Sequence, residues 1–286
     1  MDRFKIKVII AIFFILGSIA KFIPQAPFIL NYFGILVMPV AVFLVVDGYY
    51  HTKSVKNYVK RLMICGEAML IGNFLISLIF MPSIIGRVPY NEISEKGYLC
   101  LIAMIIIGIV FLVLNIMDKC LSDKGVIFFI FIMAIGTLIS LNVINEKIII
   151  PNDNLFISLA GILVLIKTLD EGRENKSNKM AVKVLIILAV CMCTETLIIG
   201  PIFAIILFMF KGNKRMITTG LFVLSGILIP GFSIKELLMY PKWMMFFGII
   251  FILLYNGEEG IKIKKPFYYI YPLAVWIPFA IGSIVR

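Results

Sequence analysis

The sequence predicts an all-helical, polytopic transmembrane bundle of about ten or eleven helices, folded as one integral membrane domain over residues 1–286. Three observations carry this. Hydrophobic residues make up 62% of the chain and charged residues only 15%, whereas soluble domains run near 45–50% and about 25%. Apolar runs long enough to cross a bilayer, roughly 17–25 residues each, recur from end to end. The alternating, turn-rich pattern of a membrane barrel is absent, and backbone polar groups in lipid must be satisfied within a helix.

The first apolar run, about Val8–Ile23, follows the charged MDRFKIK and stops at Pro24. No small-residue cleavage site follows it, so it reads as a retained first helix with a cytoplasmic N-terminus. The second run, about Ile29–Val46, holds Pro39 in its middle, where a kink is expected. A basic loop, Asp47–Arg61, comes next, and Ser54 is placed to cap the third helix, which continues to about Met81. Helices are then expected at about Tyr98–Met117, Gly125–Leu141 and Leu155–Leu169, separated by polar loops at Pro82–Lys96, Asp118–Lys124 and Asn142–Asn154. Asp170–Lys179 is the most hydrophilic stretch and reads as a surface loop.

Met180–Phe210 is too long for one straight span of roughly 20 residues and tight for two. Charge parity arbitrates. The cluster Lys211, Lys214 and Arg215 falls on the cytoplasmic side only if this run crosses twice. The expectation is a hairpin of two short helices with Glu195 near its outer tip. Further spans follow at about Met216–Pro230, Trp243–Tyr255 and Phe267–Val285.

The net charge of +11 does not imply nucleic acid. The cations sit in short loops, as the positive-inside rule requires, and the partner they imply is the lipid bilayer of the cell membrane. Five cysteines without C-x-x-C spacing and a single histidine argue against a disulfide scaffold and a metal site.

Two stretches carry the candidate chemistry. The first, DGYYHTKSVKNYVKR, holds Asp47, His51, Lys53, Lys56, Lys60 and Arg61. His51 is a candidate general base with Asp47 as its neighbouring acid. Lys53, Lys56 and Lys60 recur at i, i+3 and i+7, so they share a face if the third helix starts early; cations there suit phosphates of a cofactor or of lipid. Glu67 lies about 9 Å deeper than Arg61 at helical rise, and an acid at that depth marks a functional site or a buried pair. Asn73 continues the polar track, and Asn115, Lys167, Lys183 and Glu195 are further polar residues in or at the ends of spans. The second stretch is Tyr255-Asn256-Gly257-Glu258-Glu259-Gly260, followed by KIKKPFYYIYP with Lys264 and Tyr271.

Together the two stretches resemble the TraX family of membrane proteins. That family has a proline-containing helix ending in an acidic-Gly pair, then an aromatic, His-Thr and basic residues, which this chain matches at Phe33–Leu62. Near its C-terminus the family has Tyr-Asn-Gly, a variable pair, Gly, then Lys and aromatics ending in Tyr-Pro, matched here at Tyr255–Pro272. The resemblance covers roughly 50 residues by this count of the two matched stretches. It implies an acyltransferase-like fold, with acetyl-coenzyme A or another acyl-coenzyme A as donor and a pilin-like subunit or peptide as acceptor. His51, Asp47 and Glu67 would serve the chemistry. Lys53, Lys56, Lys60, Arg61, Tyr255, Asn256, Gly257, Lys264 and Tyr271 would bind the donor. The family's Asp-His pair in the first helix is replaced here by Gly17 and Ser18, and its histidine after Tyr-Pro by Ala274.

Three functions are therefore open: acyl transfer, non-catalytic binding as an accessory or immunity protein, and transport of a small molecule or lipid. The absence of internal symmetry weighs against the third.

Overall fold

The computed structural model describes residues 1–85, 95–117, 122–143, 154–174, 177–231, 233–261 and 265–285. All regular structure among them is helical. The elements are α1 (Arg3–Phe22), α2 (Leu30–Ile35), α3 (Val37–His51), α4 (Val55–Ile85), α5 (Glu95–Ile116), α6 (Asp123–Val143) and α7 (Leu155–Glu174). They continue as α8 (Asn178–Met192), α9 (Ile199–Met209), α10 (Lys214–Ile227), α11 (Ile234–Met239), a 3-10 segment (Pro241–Phe247), α12 (Gly248–Leu254) and α13 (Lys265–Val285).

The centre is α7. Ala160, Ile162, Leu163, Val164, Leu165 and Ile166 are fully buried, because a helix that is apolar all round has no face to offer water. Helices α3, α4, α6, α8 and α9 surround it. Helix α1 packs between α2 and α13. Its approach to α2 is backbone against backbone. A Cβ on Gly17 would lie 2.5 Å from the Gly34 Cα, so no side chain fits at this crossing.

Among the described residues three helical stretches are long and apolar enough to cross a membrane: Leu30–His51, Val55–Phe80 and Pro266–Val285. Outward faces are apolar as well. Ile102, Ile106, Ile109, Val110 and Val113 form a stripe along α5, each more than 40% exposed, and Phe128, Leu185 and Phe222 point outward from α6, α8 and α10. Water-soluble monomers rarely leave apolar patches of that extent uncovered, so these faces mark a membrane protein.

Several expected boundaries move. The helix break near Pro39 falls at Leu36, between α2 and α3, because proline has no N–H to give the carbonyl four residues back. The expected basic loop is mostly helix. Helix α3 runs on through Asp47 to His51, and only Thr52–Ser54 separate it from α4. Ser54 does cap α4, its hydroxyl accepting from the Asn57 N–H at 3.3 Å. Helix α7 likewise continues into the hydrophilic stretch as far as Glu174. Helix α11 has no counterpart in the sequence reading. Residues 86–94, 118–121 and 144–153, where loops are expected, and Lys264 lie outside the described residues.

One end of the bundle gathers the charged loops. The Tyr49 hydroxyl donates to Asp170 at 2.7 Å, Lys211 sits 3.4 Å from the Tyr50 ring centre, and Lys214 donates to the Tyr255 carbonyl at 2.9 Å. Helices α8 and α9 form the two short arms of a hairpin. Glu195, in the turn between them, accepts from the Asn154 N–H at 2.8 Å, beside the start of α7. The chain then returns to the charged end, where the Arg173 guanidinium lies 4.1 Å from the Phe208 ring centre.

Candidate functional site

Asp47 and His51 are four residues apart on the last turns of α3, so both side chains leave the same face of the helix. The N-terminal segment brings a third residue to them. The Met1 amino group donates to the Leu254 carbonyl, the Asn256 N–H donates to the Met1 carbonyl at 3.0 Å, and the Arg3 N–H donates to the Glu258 carbonyl at 2.9 Å. This short ladder ties the chain start to the YNGEEG stretch. Gly257, at φ 84°, supplies the left-handed turn that the ladder follows.

Arg3 is the hub. Its guanidinium binds the Asp47 carboxylate, lies 3.5 Å from Glu259 and 3.1 Å from His51 Nδ1. The Tyr255 hydroxyl donates to the same Asp47 carboxylate at 2.8 Å. Burial, followed by that hydrogen bond, pushes the Tyr255 phenol up to about 12, so it stays a donor at neutral pH.

Arg3 and Tyr255 thus share one oxygen of the Asp47 carboxylate, Oδ2, and the other oxygen faces His51. It lies 3.7 Å from His51 Nδ1, beyond hydrogen-bond reach. The Asp47 backbone carbonyl orients the ring instead, at 2.8 Å from Nδ1. The Arg3 guanidinium, at 3.1 Å, and this carbonyl both meet the same ring nitrogen, so Nδ1 is the held side of the ring.

This cluster stands at the mouth of a cavity of about 240 Å³. Arg3, Lys7, Arg61, His51 and Glu259 line its charged end. Its walls come from α1, α3, α4, α7 and α13, and are apolar through Ile10, Ala41, Val45, Leu62 and Leu159. Deep inside, Phe14 stacks on Tyr271 with ring centres 3.8 Å apart, and the Tyr271 hydroxyl accepts from the Leu155 N–H at 3.2 Å.

The structure brings together only part of the expected set. His51, Arg61 and Tyr271 line the cavity, whereas Tyr255 and Asp47 do not line it and reach it only through Arg3 and the His51 ring. Lys53 precedes α4, so it does not share the helical face that its spacing suggested. Lys60 reaches the Ile116 carbonyl at the end of α5, at 3.3 Å. Lys56 lines a separate cleft with Asp123 and Lys167. Four residues apart on α4, these two lysines share a face, and that face meets α5 and α6. The Asn256 side chain stays local, bonding to Glu258 from both its amide atoms.

Glu67 is fully buried on the far side of α4, where its carboxylate accepts from the Asn115 amide of α5. It does not line the cavity. The contact that sequence reasoning missed is Arg3. A cation in a charged N-terminal flank looks like a topology signal, and only its burial distinguishes it.

No family model matches the chain, and no curated protein or solved structure matches it.

Proposed function

We propose that this chain is a multi-pass protein of the cell membrane that transfers an acyl group from an acyl-coenzyme A to an amine or hydroxyl of a membrane-associated acceptor. The observation that carries this reading is the placement of His51 on the rim of an apolar cavity whose charged end holds Arg3, Lys7 and Arg61 with Glu259. A coenzyme A thioester is anionic at one end and apolar at its acyl end. Phosphates would meet Arg3, Lys7 and Arg61, and the acyl group would enter the cavity. The resemblance to TraX proteins agrees in supplying an acetyl donor and a pilin-like or peptide acceptor.

In this reading His51 Nε2 takes the proton of the acceptor as its nitrogen or oxygen attacks the thioester carbonyl. The tetrahedral adduct collapses, the carbon–sulfur bond breaks, and coenzyme A leaves as its thiol. Asp47 is a positioning residue. It holds Arg3 and Tyr255 by its carboxylate and the His51 ring by its carbonyl. In this reading the charged end faces the cytoplasm, where acyl-coenzyme A is available, and the cations gathered there support that side.

One observation favours a second reading, a non-catalytic binding protein. Asp47 holds Arg3 and Tyr255 by one carboxylate oxygen and faces His51 with the other only at 3.7 Å, so the hydrogen-bonded carboxylate–histidine pair of a catalytic dyad is not made. Binding of coenzyme A to the purified protein in neutral-lipid nanodiscs tests the first reading. Saturable binding that Arg61→Ala weakens is expected, and no binding at any attainable concentration would contradict it.

A further inference from the structure

The cavity is deeper than a two-carbon acyl group needs. Along α3 its lining runs from His51 at the rim to Val37, a rise of about 21 Å at helical pitch. Along α1 it runs from Arg3 to Phe14, about 16 Å. The shaft stays open because small side chains, Ala11 and Ala41, line it where larger ones would fill it. Below the rim the lining is aliphatic and aromatic, and the stacked Phe14 and Tyr271 rings line its deep part.

From this we infer that the acyl group the site accepts is a long, unbranched chain, inserted between α1 and α3 with its carbonyl at His51 and its anionic end at the cationic rim. The inference rests on the acyl-transfer reading and narrows it, since the family resemblance alone implies acetyl. Each methylene moved from water into such a shaft raises affinity about fourfold, so chain length is read directly as binding.

The test is competition against labelled coenzyme A by acetyl-, butyryl-, octanoyl- and decanoyl-coenzyme A. The protein sits in neutral-lipid nanodiscs, with empty nanodiscs as the blank. Octanoyl-coenzyme A is expected to compete at least tenfold better than acetyl-coenzyme A. Ala41→Phe, which plugs the shaft, is expected to abolish that gain. Equal competition at every chain length in the unaltered protein would overturn the inference and leave the acyl-transfer reading standing. If no coenzyme A species binds at all, the acyl-transfer reading itself fails. The chain-length series needs no variant, so misfolding of Ala41→Phe does not remove the test. Displacement of decanoyl-coenzyme A by phosphatidylglycerol but not by coenzyme A would overturn the assignment of the chain to a thioester.

Discussion

Asp47 and Tyr255 are joined by a hydrogen bond of 2.8 Å across 208 residues of chain. With Arg3 on the same carboxylate, this contact brings together the start of α1, the end of α3 and the segment after α12. Three stretches far apart in sequence therefore depend on one carboxylate.

Asp47→Ala should be among the more damaging single changes at this end of the molecule. It leaves the Arg3 guanidinium, whose side chain is only 10% exposed, with Glu259 as its remaining acid. Breaking a buried pair by removing one partner costs about 3 kcal/mol or more. Denaturant unfolding in mixed micelles should show that loss, while His51→Ala should unfold close to the unaltered protein.

The Tyr255 bond has a defined pH range. Burial, and after it the Asp47 bond, push the Tyr255 phenol up to about 12 in the fold, from about 10 in the unfolded chain. A raised value means that its stabilising contribution is fully present below about pH 10 and is lost as pH rises toward 12. The stability difference between the unaltered protein and Tyr255→Phe should accordingly be constant near neutrality and shrink across that alkaline interval. A difference that stays constant through pH 12 would contradict the bond.

Glu67→Gln should be tolerated. One carboxylate oxygen of Glu67 accepts from the Asn115 amide, while its other oxygen and the Asn115 oxygen have no hydrogen-bond partner. A carboxamide keeps the existing bond and adds an N–H that can serve the Asn115 oxygen, and satisfying a buried polar atom is worth about 1–3 kcal/mol. Thermal unfolding should be unchanged or raised, and acyl-transfer activity retained. A loss of most activity with intact stability would put Glu67 into the chemistry after all.

Gly17→Val tests the contact between α1 and α2. The Gly34 backbone leaves no room for a branched side chain, and forcing one in typically costs about 1–3 kcal/mol. Because α1 carries both Arg3 and Phe14, the variant should also weaken coenzyme A binding, measured beside its stability.

The helical class was legible in hydropathy, because long apolar runs have one solution in lipid. The hairpin around Glu195 was legible in charge parity, and the Ser54 cap in residue type. The burial of α7 was not, since Leu155–Leu169 is no more apolar than runs that face outward, such as the middle of α5. Within the site, His51, Asp47 and Tyr255 could be picked out by their local pattern. Arg3 could not, because its partners are set by tertiary packing rather than by spacing. The lysines misled for the opposite reason. Their i, i+3, i+7 spacing is real, but the helix that would align them starts only after Lys53.

The central claim is that His51 acts as the base at the mouth of an acyl-binding cavity. Release of the coenzyme A thiol from acetyl- and octanoyl-coenzyme A by the purified protein in nanodiscs, with hydroxylamine as acceptor amine, tests it most directly. The account predicts measurable release by the unaltered protein and a rate about 10²–10⁴-fold lower in His51→Ala, with coenzyme A binding preserved. Equal rates in the two proteins would contradict it.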